Sequence, residues 1–187
     1  IVFADGLQGQ MMESVSLPET ETPHPDFSSW AAQGESATRT NLVKSIYLDA
    51  AQQEKFNQAL QAKYERMEED AMSESYLADD AEILLVGYGI SSRVARTAVE
   101  YVRKNGIKAG LFRPITLSPF PCDALAKAAK GKKILAVELD AGQFADDVRL
   151  NLAKCGLGEE SASVQMINRM GGEVVTVDAV VEKIENM

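Results

Sequence analysis

Glycine-rich and charged loops follow the apolar runs of this sequence, and the first of these loops could bind an anion. Residues 87–92 join a predicted strand to a predicted helix, so backbone amides near Gly89, Ser91 and Ser92 could receive a phosphate or a carboxylate at the helix N-terminus. The spacing is not that of a dinucleotide fingerprint, because Ser92 stands where GxGxxG requires its third glycine, and the phosphate-loop pattern is also absent. A tight strand-to-helix turn is the simpler alternative, and both interpretations stay open.

An arginine and three prolines follow the second apolar run. Arg113 opens the stretch RPITLSPFP, in which the prolines enforce an extended and stiff path that is typical of a contact surface. The guanidinium could bind a carboxylate through two hydrogen bonds, or it could pair with an acidic residue of the same chain. The sequence leaves a binding role and a structural role open.

Two carboxylates and an amide follow the third run, in the stretch ELDAGQ from Glu138 to Gln143. Ligands of open α/β folds lie at this carboxyl edge of the sheet, so Gln143 is a candidate for an anion or interdomain contact. A general acid or base needs a positioned partner, and no histidine, metal or nucleophile is evident nearby. We therefore expect Glu138 and Asp140 to cap the next helix or to bind loop amides and not to act in catalysis. The last loop, NRMGG, ends in paired glycines that are typical of a turn.

The elements that position these loops alternate between strand and helix. Short apolar strands are predicted at 83–86, 108–112, 134–137 and 164–167, and helices at 91–104, 124–130, 144–153 and 177–185. Ser91 or Ser92 could cap the first of these helices, and Val94, Ala98 and Val102 form its apolar stripe. Continuously apolar strands between helices indicate a mostly parallel sheet covered on both faces, that is, a three-layer α/β/α fold.

The first 80 residues lack this alternation of strands and helices. An apolar run at residues 1–4 reads as the end of a strand, and residues 16–41 read as a linker that Phe27 and Trp30 tie down into an ordered strap. A long helix is predicted from Asp49 to about Tyr76, either as a solvated connector or as a docking helix for a partner subunit. We therefore expect domain boundaries at 1–15, 16–80 and 81–187.

Charge and composition exclude several classes of protein. The 187 residues carry a net charge of −9, and residues 1–80 hold 15 acidic and 5 basic side chains, so nucleic acid is not an expected partner. No apolar run approaches the roughly 18 residues that span a bilayer, and no signal peptide opens the chain, so we expect no membrane association and a cytoplasmic protein.

Ligands for a metal are scarce in the sequence. The cysteines, Cys122 and Cys155, stand 33 positions apart without a CxxC spacing, and His24 is the only histidine, so neither a zinc site nor an iron–sulfur cluster is expected here. The chain opens at Ile1 without a methionine, and we expect it to be a piece of a longer protein.

Six stretches of the chain, read in order, resemble the alpha subunit of the 2-oxoacid:ferredoxin oxidoreductases, most closely the 2-oxoisovalerate and 2-oxoglutarate enzymes. The stretches are ADGLQGQMMESV, NLVKSIYLDAAQQEKFNQALQAKYERME, VGYGISSRVARTAVE, GIKAGLFRPITLSPFP, AVELDAGQFADDVRL and NRMGG. The resemblance implies that residues 1–15 end a thiamine pyrimidine-binding domain and that residues 81–187 form a domain similar to the C-terminal domain of transketolases. Asp140 and Ser118 depart from the family pattern, which more often has asparagine and a bulky aromatic residue at these places.

The resemblance also implies an activity for the whole protein. Members of this family decarboxylate a 2-oxo acid on thiamine diphosphate and magnesium, pass electrons through iron–sulfur clusters to ferredoxin, and form an acyl-coenzyme A. It implies that the catalytic residues precede Ile1 or lie in other subunits, so this chain is expected to bind no cofactor, to have an assembly role and to be inactive alone.

Two other functions remain open from the sequence. One is the last domain of a transketolase-like enzyme, which shares the fold. The other is a free nucleotide- or coenzyme-binding module, which an anion bound at residues 89–92 would support.

Overall fold

The computed structural model describes residues 1–17, 19 and 25–187. The chain divides into two compact units, one formed by Ile1–Met11 with Met67–Met187 and the other by Met12–Arg66. His24 and two prolines of the predicted linker, Pro18 and Pro23, lie outside the described residues.

Among the described residues, five strands and six α-helices account for most of the regular structure. The strands are β1 (Ser73–Tyr76), β2 (Ile83–Val86), β3 (Ala109–Pro114), β4 (Lys133–Glu138) and β5 (Gln165–Asn168). The helices are α1 (Ala50–Met67), α2 (Gly89–Lys104), α3 (Cys122–Ala129), α4 (Gln143–Lys154), α5 (Gly158–Ser163) and α6 (Val177–Glu185). Short 3-10 turns lie at Gln8–Gln10, Ser36–Thr38 and Glu68–Asp70.

The strands form one sheet in the order β1-β3-β2-β4-β5. β2 pairs in parallel with both β3 and β4, with Leu85 opposite Leu111 on one side and Leu135 on the other. β5 continues the parallel pairing, and only β1 is antiparallel, at the edge next to β3. The predicted mostly parallel sheet is confirmed.

Alternate strand residues pack on opposite faces of the sheet, which produces three layers. One face carries α2 and α6 over a core that includes Leu85, Leu135 and Val99. The other face carries α3 and α4 over Leu84, Phe112 and their neighbours. Strands that are buried on both faces must be apolar at every position, as the four buried residues of β2 show.

Helix α2 shows how the amphipathic pattern positions an element. Ala98 and Val102 of its predicted stripe are fully buried, and Val94 is half-buried. On the solvent side Arg96 approaches Glu100 at 3.6 Å, one turn along the helix. The predicted apolar stripe is therefore confirmed, and charged residues lie on the opposite side.

The long helix predicted for residues 49–76 is wrong at its C-terminal end. Helix α1 stops at Met67, and residues Ser73–Tyr76 form strand β1 instead. Three consecutive carboxylates, at Glu68–Asp70, follow the helix end, where the helix dipole disfavours negative charge. Beyond them, pairing with β3 satisfies the backbone of β1 and adds a strand that local periodicity does not reveal.

The strand predicted at residues 1–4 is also absent. Ile1, Val2 and Phe3 are fully or largely exposed, and they pair with no strand in the described part of the chain. An apolar run becomes a strand only when a neighbour accepts its backbone hydrogen bonds.

The second unit, Met12–Arg66, contains helix α1 and the aromatic pair of the predicted strap. The Phe27 and Trp30 rings contact each other edge to face, with centroids 5.5 Å apart, and both remain about half exposed. Asp49 caps α1 by accepting a hydrogen bond from the Gln52 amide at 2.8 Å.

A disulfide joins Cys122, at the start of α3, to Cys155, just after α4. This pairing was not predicted from the sequence. No helix among the described residues combines the length and the apolar character that crossing a membrane requires.

Candidate functional site

The candidate site lies at the carboxyl ends of β2 and β4, where the chain leaves the sheet in opposite directions. Helix α2 follows β2 onto one face, and α4 follows β4 onto the other. Because the two connections diverge, they flank the crevice position at which open α/β sheets bind ligands. The first and third of the chemically interesting loops therefore come together here.

The β2–α2 turn is shaped by close backbone approach. A Cβ atom on Gly87 would lie 3.2 Å from the Val137 carbonyl oxygen of the neighbouring strand, and Gly89 has a φ of +55° that favours glycine. Ser91 and Ser92 are buried inside the first turn of α2, and the Ser92 hydroxyl donates to the Gly89 carbonyl at 2.7 Å. Neither serine caps the helix, so that prediction is wrong.

An amide in the first turn of α2 donates to a carboxylate from a distant part of the same unit. Asp5 Oδ2 accepts from the Ile90 amide at 3.0 Å, and Asp5 Oδ1 accepts from the Gln8 amide at 2.7 Å. A Cβ atom on Gly89 would stand 2.8 Å from Asp5 Oδ2, so this contact requires a glycine there. Asp5 and Ile90 are 85 positions apart, and no local sequence signal could have identified Asp5.

The β4–α4 loop is organised by Asp140. Its Oδ1 accepts hydrogen bonds from the amides of Gly142 at 3.0 Å, Gln143 at 2.8 Å and Phe144 at 3.4 Å. These are donors that the start of α4 would otherwise leave unpaired, so the predicted capping role is confirmed. The exposed Gln143 side chain accepts from the Ala141 amide at 2.7 Å, which holds the same loop.

Glu138, at the end of β4, is buried beneath this loop. It is 1% exposed, and its Oε2 accepts from the Ala145 amide at 2.9 Å. The pKa of Glu138 is raised to about 7, chiefly by burial and secondarily by the charge of Asp140, while the Ala145 hydrogen bond acts in the opposite direction. The expectation that Glu138 binds a helix amide is confirmed, but its burial was not predicted.

Tyr88 links the two loops across the crevice. Its ring contacts the Phe144 ring edge to face, with centroids 4.9 Å apart. Partial burial raises the pKa of the Tyr88 hydroxyl, and the carboxylates of Asp140 and Glu138 add to that effect. The crevice is therefore lined by an aromatic pair and by negative charge.

Arg113 has a partner on the neighbouring antiparallel strand. Its guanidinium donates to Glu74 Oε2 at 3.1 Å, and the two residues are opposite each other in the pairing of β1 with β3. Of the two interpretations left open by the sequence, pairing with a local carboxylate is the one observed.

Gly171 and Gly172 both have positive φ, which confirms the predicted turn.

The described residues do not fit a metal ion or an iron–sulfur cluster. Within them, no group of three or more His, Cys, Asp or Glu side chains is placed to hold a metal ion, and the disulfide occupies both cysteines.

The larger of the two units is a mostly parallel α/β/α domain. Its fold is also found in a solved structure. The 2-oxoglutarate:ferredoxin oxidoreductase from Magnetococcus marinus, solved with 2-oxoglutarate, coenzyme A and succinyl-CoA bound, superposes on 75% of this chain and 24% of its own. The TM-score is 0.59 and the sequence identity 18%. The predicted fold class is confirmed.

Sequence comparisons then give the family. Residues 81–180 match the family described as pyruvate:ferredoxin oxidoreductase core domain II. The whole chain is 44% identical to the ketoisovalerate oxidoreductase subunit VorB of Methanothermobacter thermautotrophicus, and 51% of the chain is 39% identical to the 2-oxoglutarate synthase subunit KorA of Methanocaldococcus jannaschii. The chain belongs to the 2-oxoacid:ferredoxin oxidoreductase family, as its motifs predicted.

The matched relatives are longer than this chain. It covers 52% of the VorB subunit and 24% of the KorA subunit, so it spans about half or less of the length of these curated relatives.

Proposed function

We propose that the chain is the C-terminal part of the alpha subunit of a thiamine-diphosphate-dependent 2-oxoisovalerate:ferredoxin oxidoreductase. The complete enzyme oxidatively decarboxylates its 2-oxo acid to an acyl-coenzyme A and passes the electrons to ferredoxin. The observation that carries the proposal is 41–44% identity over the full chain to ketoisovalerate oxidoreductase subunits, whereas 2-oxoglutarate synthase subunits match 51–79% of the chain at 30–39% identity.

Within that enzyme, we assign this part of the subunit to assembly. Thiamine diphosphate, magnesium and the clusters are held elsewhere in the complex, together with the groups that activate the cofactor. The absence of a fitting ligand set among the described residues supports this assignment. So does the start of α2, where Asp5 already binds the Ile90 amide and the negative charge of neighbouring carboxylates, which also acts on Tyr88, disfavours an anionic ligand.

The test uses the complete subunit co-expressed with its genomic neighbours. Coenzyme-A-dependent reduction of a viologen dye is measured with 2-oxoisovalerate, 2-oxoglutarate and pyruvate, after the cofactors are shown to be loaded. We expect the highest kcat/KM with the branched substrate. A preference for the dicarboxylic substrate would overturn the substrate assignment alone, and a loaded complex that reduces the dye with none of them would overturn the enzyme class.

The assembly role has its own measurement. The 187-residue chain, assayed alone in the same way, is expected to reduce no dye above the buffer rate. Its addition to the separately purified partner subunits is expected to yield a larger species by sedimentation. Dye reduction by the isolated chain, or failure of both the chain and the complete subunit to associate, contradicts this role.

A further inference from the structure

The disulfide between Cys122 and Cys155 lies at the surface of the larger unit. Both cysteines are partly exposed, and they stand at two helix ends on the same face of the sheet, the start of α3 and the residue after α4. The charged side chains next to them in the sequence, Asp123 and Lys154, are exposed. A thiol in solution therefore reaches this bond without unfolding of the core.

Each sulfur also lies beside an oxygen atom that a disulfide cannot use as a hydrogen-bond acceptor. Cys122 Sγ lies 3.1 Å from the Asn151 carbonyl oxygen, and Cys155 Sγ lies 3.7 Å from Asp123 Oδ1. A disulfide sulfur carries no hydrogen, whereas a thiol is a weak donor, so both oxygens accept hydrogen bonds only after reduction. Each thiol of the reduced chain thus has an acceptor within reach.

The two helices do not depend on the cross-link for their position on the sheet. Leu125 of α3 and Leu152 of α4 are fully buried in the same apolar cluster, together with Phe112 and Val148. This burial persists when the bond between the sulfurs is broken. We therefore expect the reduced chain to be less stable than the oxidised chain but to stay folded.

The two sulfurs differ in how well they release a thiolate. Cys122 is the first residue of α3, where the helix dipole stabilises negative charge. Cys155 follows the last turn of α4, where the dipole has the opposite sign, and the Asp123 carboxylate lies beside it. A thiolate leaves faster where its charge is stabilised, so the favoured reaction attacks Cys155 and releases Cys122.

We propose that Cys122–Cys155 is a reversible thiol–disulfide exchange site for dithiol reductants, that the reductant attacks at Cys155, and that Asp123 slows this attack. The Asp123 carboxylate repels the incoming thiolate because both are negatively charged. This inference does not depend on the proposed function of the whole enzyme.

The exchange proceeds in two steps. A reductant thiolate attacks Cys155 Sγ, the bond between the protein sulfurs breaks, and Cys122 leaves as a thiolate that takes a proton from water. The second thiol of the reductant, after losing its proton, attacks the mixed disulfide, releases Cys155, which takes up a proton, and closes the reductant's own disulfide. Two electrons pass from the reductant to the protein, and a disulfide oxidant reverses both steps.

Reversible exchange is tested on the 187-residue chain without denaturant. After dithiothreitol treatment and removal of the reductant, we expect two free thiols per chain by a colorimetric assay and an unchanged far-ultraviolet circular dichroism spectrum. Oxidised glutathione should then restore the monomeric, cross-linked chain. Reduction that proceeds only in urea, or that unfolds the chain, overturns the proposal.

The site of attack is tested with 2-mercaptoethanol, a neutral molecule with a single thiol. A brief reaction is stopped with iodoacetamide, and peptide mass spectrometry identifies which cysteine carries the mercaptoethanol and which carries the alkyl group. We expect the mixed disulfide on Cys155 and the alkyl group on Cys122. The reverse distribution, or equal amounts of both products, overturns attack at Cys155.

The effect of Asp123 is tested with a matched pair of variants, Asp123→Asn and Asp178→Asn. Both residues are exposed carboxylates in the first turn of a helix, α3 and α6 respectively, so each substitution removes one charge from an equivalent position. At constant pH, dithiothreitol should reduce Asp123→Asn several-fold faster than the unmodified chain, and Asp178→Asn at nearly the unmodified rate. Equal rates for the two variants overturn the role of Asp123.

Salt provides a second measurement of the same repulsion. Added sodium chloride screens the negative charges, so it should accelerate the reduction of the unmodified chain and have a smaller effect on Asp123→Asn. A reduction rate of the unmodified chain that does not rise with salt contradicts a charge-controlled attack, even if the variant does not fold.

Discussion

At the scale of single residues, the sequence predicts where polar groups lie better than how deeply they are buried. Glu138 and Asp140 could be placed at the end of a strand because a buried apolar run precedes them. Their different environments could not be predicted, since Asp140 caps α4 from the loop while Glu138 is covered by packing from other elements. Asp5 is the extreme case, because its partner is remote in sequence.

Glu138 should give the stability of the chain an unusual pH dependence. Its folded pKa, about 7, lies above the ordinary value of 4.5, so the folded state binds more protons than the unfolded state between these values. Its contribution is therefore fully present below pH 4.5 and is lost as the pH rises through 7. The free energy of unfolding of the chain relative to Glu138→Gln should fall by about 3 kcal/mol over this window, measured by urea unfolding at several pH values.

Glu160→Gln is the control for that experiment. Glu160 accepts a hydrogen bond from the Gly131 amide, which lowers its pKa, so its contribution is lost as the pH falls. The two variants should thus differ in the sign of their pH dependence. The same sign for both contradicts the account of Glu138.

Gly110 should tolerate no side chain. A Cβ atom there would lie 2.5 Å from the Leu77 carbonyl oxygen and 2.8 Å from Ala78 Cα, and backbone atoms cannot move aside cheaply. Gly110→Ala is expected to reduce the free energy of unfolding by about 3 kcal/mol, measured by chemical denaturation. Gly158→Ala is the matched control, because no atom lies within 4 Å of its added Cβ, and it should change stability little. Equal effects of the two substitutions would contradict this reasoning.

At the scale of elements, the central part of the fold follows from periodicity. β2 and α6 have the predicted bounds, and the other strands and helices of residues 81–187 shift by only a few residues, apart from the missed short helix α5. These elements are strongly patterned because each is buried on one or both faces. β1 was missed since its residues, SESY, are mostly polar and its strand character comes from pairing with β3.

The disulfide between α3 and the end of α4 is a second element-scale feature that the sequence did not reveal, because a spacing of 33 residues matches no motif. A cross-link of that separation restricts the unfolded chain, and its removal in the double variant Cys122→Ala and Cys155→Ala should lower the free energy of unfolding by about 3 kcal/mol. Thermal and urea unfolding without reductant measure the change. Reductant should cause the same loss of stability in the unmodified chain and leave the double variant unaffected. If the unmodified chain is equally stable with and without reductant, the cross-link contributes nothing.

At the scale of the whole molecule, the family could be read from six motifs in order, but the division into two units could not. The sequence placed a boundary near residue 80, whereas residues from Met67 onward belong with the sheet because β1 pairs with β3. In the described part of Met12–Arg66, no residue is buried. The difference between the units is thus one of burial, which depends on tertiary pairing.

Limited proteolysis should reveal this difference. Local opening costs little where few side chains are buried, so trypsin should first cleave after basic residues of the second unit, such as Arg39, Lys44 and Lys55, and leave a resistant species that contains residues 81–187. Mass spectrometry of a digestion time course locates the cuts. Cleavage of the urea-unfolded chain controls for the sequence preference of trypsin. Initial cuts within residues 81–187 would contradict the conclusion that this part of the chain opens less readily than the second unit.

The hydrogen bond from the Ile90 amide to Asp5 also sets the concentration that a small anion must reach before it can bind at the start of α2. A tethered carboxylate acts on its partner at an effective concentration on the order of millimolar, whatever the concentration of the protein. A free anion must compete with that local concentration before it occupies the start of α2. Phosphates and carboxylates at lower concentration are thereby excluded, and this end of the helix serves to hold residues 1–11 against the domain.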